Sequence, residues 1–154
     1  MTTFRQPVTI DNLVKHGVAV CRLTHENLTD NDTSQTFTLS SLNTDTGESA
    51  VPANSRIMYS WINVITAFEG GGNSAVVIKL GDAGSDNELI TNVSVMSTGL
   101  KVQSGAYTLG AFEATAYAPQ VVVTTTDGTC AGLTAGVLEI CIAYQTIDTV
   151  SVTS

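Results

Sequence analysis

The chain has 154 residues, a formal net charge of −8, 43% hydrophobic residues and 13% charged ones. Such a length fits one domain that buries about two-thirds of its unfolded surface, so a core needs neither disulfides nor metal. The acidity argues against nucleic-acid binding, which Lys and Arg contacts to phosphate dominate, and the six basic residues Arg5, Lys15, Arg22, Arg56, Lys79 and Lys101 are scattered.

Residues 1–16 carry Pro7 and one short extended piece from Val8 to Ile10, and they read as an N-terminal arm. They have no apolar stretch of signal-peptide type, so synthesis in the cytoplasm is expected. The sequons at Asn27, Asn31 and Asn92 are then expected to stay unmodified. No window approaches the about 20 apolar residues of a membrane span.

Residues 18–25 (VAVCRLTH) predict a strand, and the turn formers of 26–34 a polar loop. In 35–42 Phe37 and Leu39 alternate with Thr36 and Thr38, as in a half-buried strand. A second polar connection, 43–54, leads to a long strand from about Arg56 to Phe68. There Met58, Ile62 and Val64 share one face, and Ile57, Tyr59, Trp61 and Ile65 the other. A strand apolar on both faces is central, or meets another subunit.

Gly70, Gly71 and Gly72 supply the positive φ of a reversal. The return strand Ala75–Leu80 turns Val76, Ile78 and Leu80 inward and Lys79 outward, and the two strands are expected to pair as a hairpin. A loop at 81–87 follows, then one helical turn and a short strand within 88–98. Residues 106–117 predict a strand with a bulge at Gly110. Pro119 sets off the strand VVVTTT, and Asp127-Gly128 is a hairpin-type turn. Ala135–Thr146 is the last strong strand, with Leu138, Ile140, Ile142 and Tyr144 inward and Glu139 outward. About eight strands with turn signals between them predict an all-β fold, an antiparallel jelly-roll-like β-sandwich over 17–154.

Sites for chemistry are sparse. Three cysteines without a C-x-x-C pair fit a reduced compartment. Cys21 and Cys141 lie in apolar runs, where a thiol packs as a small hydrophobe; Cys130 follows a turn, where it can be exposed. His16 and His25 lack metal-ligand spacing, and no G-x-S-x-G elbow is present. Asp82, Asp86 and Glu88, like Asp30 and Asp32, resemble carboxylate-rich calcium loops but do not match the EF-hand spacing. GGGNS lacks the Lys-Ser/Thr of a phosphate loop. Tyr59, Trp61, Tyr107, Phe112 and Tyr117 suit a sugar platform, but such aromatics also favour protein contacts. The expectation is a non-enzymatic structural or binding protein with no cofactor and no metal.

The block SRIMYSWINVITAFEGGGNSAVVIKLGDAGSDNELI resembles a segment of small structural proteins of tailed bacteriophages. The shared features are Trp61, Ala67-Phe68, Gly70 to Gly72, Val76-Val77, Gly81-Asp82 and an acidic turn, all within residues 55–90. The chain is thereby similar to the head decoration, or cement, proteins. That family implies a β-sandwich or jelly roll that trimerises on the capsid exterior and clamps neighbouring major capsid subunits. It implies no catalytic residues, no nucleic acid and no membrane. The expected partners are the major capsid protein and other copies of the chain, in a homotrimer. An arm can add a strand to a capsid edge through its backbone, and Phe4, Val8 and Ile10 are the expected contacts. Tyr59 and Trp61 are expected at the subunit interface. The rival reading is a carbohydrate- or receptor-binding β-sandwich of a phage tail or fibre.

Overall fold

Two long strands in which apolar residues recur at every second position organise the molecule. A computed structural model describes residues 14–42, 50–102 and 104–147. Within it β3 (Ser55–Glu69) and β9 (Ala135–Ile147) run antiparallel side by side. β1 (Val14–Thr24) pairs along the free side of β9 in one unbroken register, Val14 opposite Ile147 through to Thr24 opposite Val137. The other side of β3 takes two short strands, β6 (Gly99–Val102) and β7 (Phe112–Glu113). The second sheet has the order β2 (Ser34–Thr38), β8 (Gln120–Thr126), β4 (Ala75–Gly81), β5 (Ile90–Ser94). All pairings in both sheets are antiparallel.

The core lies between the sheets. Ile57, Ile62, Phe68, Ile78, Leu80, Leu138, Ile140 and Ile142 are each 0% exposed, and burying one such side chain contributes about 1.5–3 kcal/mol. The antiparallel β-sandwich expected from the sequence is therefore the fold, with nine strands among the described residues. Leu138, Ile140, Ile142 and Tyr144 are buried as the alternation predicts, and so are Val76, Ile78 and Leu80.

Several local expectations are corrected. β3 and β4 do not pair; each belongs to a different sheet. Gly70, Gly71 and Gly72 have φ of 118°, 63° and 73°, and they carry the chain across the sandwich. At Gly71 a Cβ would sit 2.6 Å from the Gly132 carbonyl oxygen, so the arch is docked on backbone. Both sides of β3 are taken, one by β9 and the other by β6 and β7. The turn at Asp127, with φ 66°, is not a hairpin turn either, since β8 and β9 also lie in different sheets.

In β3 the register against β9 shifts between Ile57 and Tyr59, leaving Met58 as an extra residue. This bulge moves Ile57 to the core and Met58 to solvent, the reverse of simple alternation. Such bulges bend a strand and re-aim its side chains. Residues 39–42 form a helical turn, α1 (Leu39–Leu42), rather than the end of a strand. Its i, i+3 pair, Leu39 and Leu42, is buried.

The helical turn expected within 88–98 is absent; Leu89 N–H donates to the Leu80 carbonyl at 2.9 Å and leads directly into β5. Most of 106–117 is not strand. Gly110, with φ 79°, makes a turn whose N–H donates to the Ile57 carbonyl at 2.8 Å. Two tyrosine hydroxyls hold this irregular strap, as described below. Cys130 is 0% exposed, buried because the short 3-10 turn Cys130–Gly132 folds under the arch.

A candidate subunit-contact face

Beyond the Met58 bulge, β3 turns Tyr59, Trp61 and Asn63 away from the core. Directly paired residues on neighbouring strands point to the same side, so the registers place the outer face in rows. One row is Val18, Ala143 and Tyr59; the next is Val20, Cys141, Trp61 and Val102. Together they form an apolar stripe crossing four strands. Below it lie His16, Gln145, Arg56 and Phe112, and above it Arg22, Glu139, Asn63 and Leu100.

The stripe is not covered by the described residues. Val18 is 45% exposed, Tyr59 44% and Val102 46%, and Leu100 beside it reaches 60%. The Tyr59 and Trp61 rings lie 6.0 Å apart, tilted by 45°. Cys141 at the centre is 8% exposed, and burial, aided by Glu139, holds its thiol above the ordinary range. Behind it, burial and then Cys141 push the Cys21 thiol up to about 11. Neither thiol has the depressed pKa of a reactive cysteine.

Sequence reasoning singled out Tyr59 and Trp61, and the structure puts both on this face. Phe112, another of the candidate aromatics, borders it; Val18, Val20, Leu100 and Val102 were missed. The signal for the first two was present: VAVC is apolar at consecutive positions, hence on both faces of a strand. Phe4, Val8 and Ile10 lie outside the described residues.

The other candidates are dispersed. Of the five aromatics, Tyr107 and Tyr117 pack edge to face at 6.0 Å elsewhere. Tyr107 donates its hydroxyl to Glu113 and Tyr117 to Glu88, each at 2.5 Å. Burial first, and these bonds second, push both phenols above their ordinary range. The acidic loop does not converge either. The Asp82 carboxylate accepts the Gly84 and Ser85 N–H groups, both at 2.7 Å, while Asp86 pairs with Lys79 at 3.3 Å. Asp30 and Asp32 offer main-chain carbonyls to Ala131 and Cys130 at 2.8 and 3.0 Å. Among the described residues no group of three or more His, Cys, Asp or Glu side chains is placed to hold a metal ion.

Asn73, in the glycine arch, spans Gly70 and Thr129 with its amide, at 2.9 and 3.3 Å. His16 is exposed and His25 half-buried, with the His25 Nδ1 lacking a partner. A cleft of about 260 Å³ opens beside β7, lined by Asp82, Glu113, Thr115, Tyr117 and Gln120 among others. No helix among the described residues is long and apolar enough to cross a membrane.

No protein-family model matches the chain, and no curated protein matches it. Among solved structures it is similar to a chain of the cyanophage Pam1 capsid asymmetric unit, with a TM-score of 0.58 and 12% identity. The alignment covers 94% of both chains. At that identity the likeness is one of fold.

Proposed function

We propose that this protein is a non-enzymatic structural component of a tailed-phage virion, a decoration protein on the capsid exterior. It binds the major capsid protein and stabilises the shell as a homotrimer. The observation that carries the reading is the likeness to a capsid chain along 94% of both lengths, on a chain whose 55–90 block resembles phage structural proteins. The exposed stripe supports the assembly part: apolar patches of this kind mark interaction surfaces. Tyr59 and Trp61 make the subunit contact. Phe4, Val8 and Ile10 of the arm reach the capsid, and several modest contacts from one trimer gain avidity.

An antibody to the protein should label the heads of intact virions of the encoding phage. Labelling confined to tails, or to no particle, overturns the capsid assignment. Deleting residues 1–12 should leave the melting temperature unchanged while weakening attachment to the head; undiminished attachment removes the arm from the reading.

A second reading, a glycan- or receptor-binding module, is favoured by one observation. The tilted Tyr59–Trp61 pair is an exposed aromatic surface of the kind that sugars stack on. A glycan array without hits counts against it.

A further inference from the structure

The strand edges of the sandwich are guarded unequally. β2 and β5 have five residues each, β6 four and β7 two. At the head of β5 the strap takes up the backbone. The Ser104 and Gly105 N–H groups donate to the Leu89 carbonyl at 3.2 and 3.0 Å, Tyr107 N–H donates to the Glu88 carbonyl at 2.8 Å, and Thr91 N–H donates to Ser104 Oγ at 3.1 Å. β1, at the other end of the five-stranded sheet, has eleven residues, no proline and no bulge against β9. Short strands, bulges and prolines are the usual means of blunting an edge, and β1 uses none of them.

The direction of its main-chain groups follows from β9. Ile147 N–H donates to the Asn54 carbonyl at 2.9 Å, on the β3 side. Successive residues of a strand bond to opposite neighbours, so Tyr144, Ile142 and Ile140 bond to β1 through Gly17, Ala19 and Cys21. His16, Val18, Val20 and Arg22 therefore aim N–H and C=O away from the ladder. Thr24 agrees: its N–H donates to Asn27 Oδ1 at 2.9 Å. Among the described residues no main-chain bond outside the ladders reaches Val14–Leu23.

We infer that the outer edge of β1 is a docking strand, and that an extended segment of the major capsid protein pairs with it. Such addition is driven by main-chain bonds. On the outer face the segment's alternate residues continue the rows of Val18 and Val20, which selects apolar side chains there. A second copy fits less well. β1 against β1 is an isologous, twofold contact, which a homotrimer does not contain, and the other edges of the chain are short. The capsid protein fits because the arm proposed to reach it leads into Val14, where this edge begins. The inference rests on the proposed capsid binding and deepens it by naming the surface.

Shells of the encoding phage that lack this protein supply the test, with attachment read by co-sedimentation. His16→Pro deletes an outward N–H and no ladder bond, as proline on an edge permits. His16→Ala keeps that N–H and should attach about tenfold more tightly than the proline variant, the size of one lost main-chain bond and its orphaned acceptor. Equal attachment by the two overturns the inference, and so does a dimer mass in light scattering that His16→Pro halves, which gives the edge to a second copy. Wild-type protein that does not co-sediment at all removes the capsid reading, and the edge contact with it.

Should the proline variant fail to fold, hydrogen exchange of the wild-type chain decides. Amides within 14–24 should become protected on binding shells. Protection that does not change overturns the inference. Protection already present in the unattached protein and lost on deleting residues 1–12 overturns it too, because the arm is then the occupant.

Discussion

The two sheets bury similar inner faces but present different outer ones. Outside the four-stranded sheet the registers align Ser34, Thr36 and Thr38 with Thr124, Val122 and Gln120, and then Val77, Lys79 and Gly81. Four of these nine residues carry hydroxyls, and the Ser34 and Thr124 side chains lie 3.4 Å apart. Thr fits a pleated surface as Val does, but its hydroxyl is satisfied by water. Outside the five-stranded sheet the same geometry carries Val18, Tyr59, Trp61 and Val102. A half-buried sheet needs one apolar face for its core. The second apolar face, left uncovered by the described residues, is the surface that the proposed subunit contact would cover.

This difference can be broken in graded steps. Ile62 and Trp61 are neighbours on β3 that point to opposite sides. Ile62→Ala should cost about 2–5 kcal/mol in chemical denaturation, as buried large-to-small changes do. Trp61→Ala should leave monomer stability nearly intact and abolish the oligomer mass. Equal stability losses from the two would refute a distinction between core and contact face.

A smaller effect concerns the strap that borders the exposed stripe. Tyr107 and Tyr117 have raised pKa values in the folded state, whereas unfolded phenols ionise near pH 10. The stability they confer is full below about pH 10. It falls as pH rises further, because the unfolded state then binds fewer protons. Tyr117→Phe should flatten this alkaline decline in a denaturation series run at pH 9, 10 and 11. A curve as steep as that of the wild type would contradict the assignment.

A spectroscopic comparison follows. Trp61 is the single tryptophan, so its emission reports the stripe directly. Iodide should quench it strongly in dilute monomer and weakly in concentrated assembly; quenching independent of concentration leaves the stripe bare. The smallest effect belongs to the other face. Thr36→Lys should shift stability by no more than about 0.5 kcal/mol, as surface changes do, and leave the mass unchanged. A lost oligomer there would transfer the contact to the wrong sheet.

Much of this was legible in the residues. Period-two alternation in 135–146 and in 75–80 identified inward and outward side chains, and the doubly apolar 56–68 segment pointed to an apolar outer face. What misled were the reversals. Gly70 to Gly72 and Asp127-Gly128 announce that the chain turns, but turn chemistry does not say whether the next strand joins the same sheet. The Met58 bulge is equally silent, since nothing in RIMYSW marks where one residue is skipped. The strap escaped for another reason. Its alternation is real, but only Phe112–Glu113 joins a ladder, and Tyr107 and Tyr117 bond Glu113 and Glu88 through their hydroxyls. The stripe's extent needed the register, because Val20, Trp61 and Val102 meet only when three distant segments align.

The strand order bears on how the chain reaches its native state. β4 and β5 are the one pair both adjacent in sequence and bonded to each other among the described strands. Nearly every other ladder joins distant segments, and topologies of this kind fold in milliseconds to seconds rather than microseconds. The last described strand, β9, is the sole link between β1 and β3. During synthesis those two strands wait for it. Until Ala135–Ile147 has left the ribosome, the sheet that bears the stripe cannot close. A nascent chain therefore carries its most adhesive strands open-edged, and a cell making many copies has reason to shield them.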